Sequence, residues 1–398
     1  MHGAMRDVIL VEPWYATTGH VTFNRAFLAA IREAFPDARI TLACSVEYRS
    51  ELGGTQGGQN RIAHWIEAAA WPVSSTNGDF GEFWQRTRWL TGILGRVRDR
   101  GITPTHLILL GSTGPILLAA FAAKVFRLPR SCKTFAVLHG AAELFHGWQP
   151  RNPLLRLFTF RTAIRLLPIM GIKAIALEMF IAQKLRDRFP KQAEAILCIP
   201  HGYDETESLP ASRPRANAER LRILFLGQAT PQKGFAEFVQ LAELARNSGN
   251  AQMEFRAAGA VRQDTRHIDQ AALSRHAGDR PLDRGELFAE LSAADLVFTW
   301  HSEQRYELTP SGILLDCIGL GVPLVGRRSH VVAALEAKYG ACGLFADDTE
   351  SLFSALRQLE DLSTRVHQVS SWKGNLLKAR IDRSAQVLGA IARRELDS

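Results

Sequence analysis

Short runs rich in leucine or β-branched residues recur along the chain, and each is followed by a helix-length segment. In the first half they fall at residues 7–12, 40–45, 106–111, 134–140, 173–177 and 195–200. A polar stretch rich in Arg, Ser and Pro covers residues 208–220, and the pattern then restarts at 222–227, 253–259, 295–300, 322–326 and 343–346. Strand and helix in alternation predict an α/β chain with parallel sheets and crossover helices. Two such runs predict two Rossmann-like, doubly wound domains facing across a cleft. The expected bounds are residues 1–207 and 222–369, with a linker at 208–221 and a helical segment at 370–398 packing back on the first domain. Ligands of such sheets bind at the carboxyl ends of strands, so the loops after Glu12, Gly111, Leu138, Gly227, Gly259 and Trp300 are where chemistry is expected.

Two features of the second half look suited to an anion. The run Arg222 to Leu226 is a buried strand, Gly227 and Gln228 begin a turn, and Lys233-Gly234 precedes a helix carrying Phe235, Phe238, Val239 and Leu241. A lysine at that turn meets any anion drawn to the helix start, although a solvated loop lysine has the same spelling. In Leu308-Thr309-Pro310-Ser311-Gly312-Ile313, Thr309 reads as the N-cap and Pro310 as the first helical residue. The amides of Ser311, Gly312 and Ile313 are then free for a phosphate, and Asp316 lies on the same helix face, suited to hydroxyls of a sugar or ribose. An ordinary capped helix with an incidental acid is the competing reading. Asp283-Arg284-Gly285-Glu286 spells a capping box, and its structural reading suffices.

Taken in order, these pieces resemble the second domain of GT-B glycosyltransferases, most closely the retaining family 4 (group 1) enzymes in a Ser-Gly variant. Leu226-Gly227 with Lys233-Gly234 is similar to the family's Gly-Arg…Lys-Gly motif, Ala258-Gly259 to its second-strand glycine, and the Ala294-Asp295 pair to its helix-to-strand passage. Asp316 through Gly321-Val322-Pro323 resembles the block that follows. The resemblance covers most of residues 222–358 and implies a nucleotide-sugar donor, held by Lys233, Ser311, Gly312, Ile313, Gly227 and Gln228. It places Asp316 on donor hydroxyls and Leu282 near the nucleobase. The sequence departs from the family in three ways. Gln228 replaces the arginine that joins the lysine, with Arg305 or Arg327 as substitutes, and the paired glutamates become Leu308 and Asp316, with Glu307 one residue before the first.

In the first half, a loop from Glu12 to His20 holds a single glycine, Gly19, so Gly19 and His20 are candidate donor or acceptor contacts. His139 ends a strand and resembles the family histidine that contacts the transferred sugar; a structural histidine is the competing reading. His201 is read as structural.

Residues 151–170 mix large apolar side chains with Arg151, Arg156, Arg161 and Arg165 and contain no acid. A second basic, aromatic stretch runs from Phe83 to Arg100. Both suit an anionic membrane surface, and both also fit amphipathic core helices with solvated arginines. The formal charge of +8 fits either that surface or phosphorylated ligands. No nucleic-acid-binding signature accompanies it. Five scattered cysteines without CxxC pairs suggest neither disulfides nor zinc, and a cytoplasmic setting fits them.

A sugar leaving a nucleoside diphosphate develops charge on the β-phosphate, which Lys233 and helix amides can meet. The expected protein is a metal-independent glycosyltransferase without a cofactor, its nucleotide sugar being a co-substrate. The resemblance implies retention of configuration, and the acceptor is expected to be a glycan or lipid-linked. The alternatives are a nucleotide-sugar epimerase or hydrolase of the same fold, and a catalytically silent, membrane-bound scaffold in polysaccharide assembly.

Overall fold

The computed structural model describes residues 6–13, 18–53, 62–70, 80–139, 150–205, 220–302 and 307–397. It divides into two compact units: Met1–Thr206 with Leu308–Pro310 and Ser384–Ser398, and Glu207–Glu307 with Ser311–Arg383.

The first unit carries a seven-stranded parallel sheet in the order β3-β2-β1-β4-β5-β6-β7. Its strands are β1 (Asp7–Val11), β2 (Arg39–Cys44), β3 (His64–Glu67), β4 (His106–Leu109), β5 (Lys133–Val137), β6 (Ile172–Ala176) and β7 (Ile196–Cys198). Every residue of β1 and β4 is buried, as expected of central strands covered on both faces. The helices are α1 (Thr18–Ala34), α2 (Val46–Gly53), α3 (Phe80–Asp99), α4 (Gly114–Arg127), α5 (Pro153–Arg156), α6 (Phe160–Met170) and α7 (Met179–Arg188).

The second unit carries a five-stranded parallel sheet, β12-β11-β10-β8-β9. Its strands are β8 (Leu221–Leu226), β9 (Met253–Ala258), β10 (Leu296–Thr299), β11 (Leu324–Gly326) and β12 (Gly343–Phe345). The helices are α8 (Phe235–Asn247), α9 (Arg284–Ala293), α10 (Gly312–Leu320), α11 (His330–Tyr339), α12 (Thr349–Leu356) and α13 (Leu362–Ile381). Phe225, Phe238 and Phe298 bring β8, α8 and β10 together with ring centroids 5.1–6.5 Å apart. Such aromatic pairs contribute about 0.5–1.5 kcal/mol each beyond area burial.

The C-terminal segment read as one helix is two. α13 ends at Ile381 in the second unit, and α14 (Ala385–Asp397) lies in the first, against α1. Gly389 permits that packing, because a Cβ there would lie 2.3 Å from Cβ of Glu33. The basic stretch beginning at Phe83 turns one face to the core: within α3, Arg86, Leu90, Ile93, Leu94 and Val97 are buried, and Arg86 pairs with Glu82 at 3.2 Å. In α6, Phe160, Ile164 and Leu167 are likewise core residues.

Candidate functional site

In the second sheet the chain runs from β8 outward to β9, then crosses to place β10 on the other side of β8. The loops after β8 and β10 therefore diverge, which opens the crevice that ligands use in doubly wound sheets. Lys233 lies in the first of these loops and His301 in the second.

Gly227 follows β8 with φ +99°, where a side chain would be strained. A Cβ there would lie 3.1 Å from Lys233 Nζ and 3.9 Å from Ile313 Cδ1, so the lysine folds back over the glycine beside the start of α10. Gly259, with φ +130°, lets the β9 loop touch this turn: a Cβ there would lie 2.0 Å from the carbonyl oxygen of Gly227. Residues Pro231–Lys233 form a single 3-10 turn, closed by Gly234 in the left-handed region. The Gly234 backbone rests on Trp300, and the Ser302 amide donates to the Gln232 carbonyl at 2.9 Å. The structure thus brings Gly227, Lys233, Gly259 and Ile313 together within the second unit.

The helix start differs from the expectation. α10 begins at Gly312, and its N-cap is Ser311, whose Oγ accepts from the Leu314 amide at 3.4 Å. Thr309 and Pro310 precede the helix, and Leu308 just before them is anchored in the apolar core of the first unit. Helix geometry leaves the amides of Gly312 and Ile313 without intrahelical acceptors, while Ser311 spends its hydroxyl on capping. A Cβ on Gly312 would meet nothing within 4 Å, so the helix start is open.

Asp316 is buried and grips Arg284 through two hydrogen bonds, from Nη1 at 2.9 Å and Nη2 at 2.6 Å. Arg284 opens α9 and lies over the Phe288 ring at 4.4 Å, while Asp283 and Glu286 complete the predicted capping box. Asp316 therefore has a structural partner that the sequence did not reveal. Leu282 is half-buried just before α9, and Glu307 is half-buried at the bend before Leu308. Arg305 lies outside the described residues; Arg327 donates its amide to Thr299 O at 3.0 Å. Asp348 caps α12, as a polar turn residue should.

Gln228 is exposed on the wall of a polar cavity of about 550 Å³, lined also by Thr230, Gln232, Arg262, Gln263 and Asp264. The cavity is held open by a backbone staple: the Ala229 amide donates to Ala260 O at 2.8 Å, and Thr265 Oγ1 donates to Ala229 O at 2.6 Å. His301 is 8% exposed. Burial, and then the charge of Lys233, lower its pKa from 6.5 to about 4, so the imidazole is neutral at pH 7. Neither His301 nor Arg262 was singled out from sequence. For His301 the available signal was its place one residue after Trp300, at a strand end already flagged.

In the first unit, Gly19 and His20 fall in the first turn of α1; the His20 side chain is outside the described residues. His139 is half-buried, edge-on to Phe23 at 4.6 Å and with its ring centroid 5.8 Å from that of His201. His201 is buried, with Nδ1 3.0 Å from the Gly202 carbonyl oxygen. Glu12, at the end of β1, is buried and accepts from Asn24 Nδ2, which also contacts Tyr48 Oη. Burial and the neighbouring Glu12 push the Tyr48 phenol well above its ordinary value. All five cysteines are free and buried.

No family model and no curated protein matches the sequence. Solved structures do match over the whole length. The catalytic domain of starch synthase IV from Arabidopsis thaliana, bound to ADP and acarbose, aligns at TM-score 0.66 and 11% identity, covering 100% of each chain. Anabaena Alr3699/HepE, in complex with UDP and glucose, aligns at 0.64 and 15% identity, covering 98% of this chain and 99% of that one. A candidate UDP-N-acetylglucosamine 2-epimerase from Listeria monocytogenes aligns at 0.58 and 13% identity, covering 99% and 98%. At these identities the likeness is one of fold, and with its two parallel-sheet units the chain has the GT-B fold found among glycosyltransferases.

Proposed function

We propose that the protein is a glycosyltransferase that takes a sugar from a nucleoside diphosphate, with the diphosphate held at the β8/β10 crevice. The observation that carries this reading is the convergence of Lys233 Nζ, Gly227 and Ile313 at the open start of α10. A cation and unshared helix amides at one point are what a diphosphate leaving group needs as charge develops on it. Two of the fold neighbours bind nucleoside diphosphates, UDP in one and ADP in the other.

In this reading Lys233 and the Gly312 and Ile313 amides stabilise the departing diphosphate, with no metal required. Ser311 shapes the helix start through its cap. Asp316, held by Arg284, keeps a fixed carboxylate near donor hydroxyls, and His139 of the first unit is assigned to the transferred sugar by resemblance alone. Retention of configuration and family 4 membership rest on the same resemblance. The acceptor is proposed to be a glycan or lipid-linked, the setting cytoplasmic and peripheral to a membrane, and the product a cell-surface polysaccharide or glycolipid.

A nucleotide-sugar epimerase or hydrolase is the second reading, favoured by the likeness to the Listeria protein. The test is a thermal-shift screen with UDP, GDP and ADP, followed by product analysis on the matching nucleotide sugars with and without EDTA. A nucleoside diphosphate should raise the melting temperature, and Lys233→Ala should weaken binding by roughly 10- to 100-fold, as loss of a charge-assisted contact does. Indifference to every nucleotide would remove both enzyme readings. Isomerised free donor without any acceptor would replace transfer by epimerisation.

A further inference from the structure

α6 buries Phe160, Ala163, Ile164, Leu167 and Met170, and its helical period turns Arg161, Arg165 and Ile169 outward at four-residue spacing. Leu154 of α5 and Leu157, at the end of α5, precede this stripe in the chain and are both exposed. Leu154 is 67% exposed and Ile169 76%. At 1.5 Å per residue the stripe from 161 to 169 is roughly 12 Å long.

Each end is widened by a neighbouring helix. At the near end the Phe158 ring meets Phe80 at 6.0 Å and Phe83 at 5.7 Å, which brings in the start of α3 with Phe80 and Trp84 exposed. Arg88 lies over the Trp84 ring at 5.2 Å. At the far end Lys124 Nζ donates to the Gly171 carbonyl, which brings in the end of α4, where Phe126 is 75% exposed. Exposed apolar groups thus stand near both ends of α6, with Arg161 and Arg165 between them in the chain.

The charge that α5 and α6 bring to this face has one sign, while Glu82 at the start of α3 is paired with Arg86. Residues 150–177 contain no Asp or Glu, and among the described residues no carboxylate pairs with Arg151, Arg156, Arg161 or Arg165. Scattered single apolar residues need no explanation, but a cluster interleaved with unpaired arginines of α5 and α6 does. Guanidinium groups match phosphate oxygens in a planar fork, and aromatic or aliphatic ends sit at the headgroup boundary. We propose that this face of α5 and α6, with the adjoining ends of α3 and α4, docks the protein on an anionic phospholipid bilayer. The proposal rests on the membrane part of the reading above and is independent of its donor site, since all these side chains belong to the first unit.

The test is co-sedimentation of the full chain with vesicles of phosphatidylcholine alone and of phosphatidylcholine mixed equally with phosphatidylglycerol. Binding is expected only to the anionic vesicles and should be released by high salt. Arg161→Gln with Arg165→Gln should weaken it by roughly 25-fold, about fivefold for each arginine near the surface. Ile169→Ser with Phe126→Ser should weaken it while leaving the salt dependence in place. Equal recovery on both vesicle types, recovery on neither, or an unchanged arginine variant would overturn the proposal. So would a concentration-dependent dimer that the same substitutions dissolve without any vesicle binding, which would assign the face to a second copy of the chain. Nucleotide-induced thermal shifts on the same samples separate the two ideas: vesicle binding without a nucleotide response leaves this surface standing and removes the donor reading.

Discussion

His301 is held far below its ordinary titration, and its two causes can be separated by mutation. Burial is the larger and the Lys233 charge the smaller, and together they bring the imidazole from 6.5 to about 4. An unfolded chain has neither cause, so its His301 titrates near 6.5. Above pH 6.5 both states are neutral there, and the group contributes no pH dependence. Below it the unfolded chain takes up a proton that the folded chain refuses, and stability falls by about 1.4 kcal/mol per pH unit until about pH 4. Over that window the loss is about 3 kcal/mol. His301→Gln removes the titration, so the stability gap between wild type and variant should move by about 3 kcal/mol in the variant's favour between pH 7 and pH 4, read from paired urea melts. Lys233→Met removes only the smaller cause and should raise the His301 titration, seen directly in the imidazole C–H resonances. A diphosphate at Lys233 should raise it further, so nucleotide binding below pH 6.5 should take up protons and give buffer-dependent heats in calorimetry. Parallel pH profiles for wild type and His301→Gln, or a folded-state titration near 6.5, would refute the reasoning.

Three other expectations follow from the same unit. Arg284→Met leaves Asp316 buried without its partner and should cost about 3 kcal/mol, the low end of the range for broken buried pairs because the Arg284 side chain is 27% exposed. Arg284→Met with Asp316→Leu should recover most of that loss in a thermal melt. Gly259→Ala should destabilise by about 2–4 kcal/mol and weaken nucleotide binding, since its Cβ would meet the Gly227 carbonyl; Gly312→Ala, facing open space, should leave the melting temperature unchanged and reveal only any obstruction of the ligand. Arg262→Ala should weaken nucleoside diphosphate binding by roughly tenfold in calorimetry if its guanidinium supplies the charge that Gln228 does not.

The strands of both sheets were legible where burial on both faces writes an apolar run, as in Val8, Ile9 and Leu10 or Ile223, Leu224 and Phe225. β3 was not, because His64–Glu67 is an edge strand with one buried residue and carries no such run. The glycines and Lys233 could be read as a turn before a helix, since local backbone chemistry is written locally. The start of α10 was misread by two residues, and Leu308 just before it is anchored in the core of the first unit, a tertiary fact that Thr309-Pro310 cannot express. The Arg284–Asp316 pair spans 32 residues and two helices, and Arg262 faces Gln228 only because β8 and β9 are neighbours. Neither relation has a sequence period.

The departures at positions 228 and 308 therefore differ in physical kind. Leu308 is a core residue, 3% exposed, and a glutamate there would bury a charge among apolar side chains at a cost of several kcal/mol. Its side chain serves packing, so the missing carboxylate says nothing about decay of a site. Gln228, by contrast, is exposed on a cavity whose lining includes both Arg262 and Asp264, so a cation is present there, with an acid near it, although position 228 itself is neutral. Lys233 meanwhile sits beside an imidazole that its charge helps to keep neutral, an arrangement that costs stability as the pH falls. An arriving anion reverses the sign of that interaction. In the proposed reading a bound diphosphate therefore relieves a repulsion between Lys233 and a protonated His301, which is what the proton uptake predicted above would register.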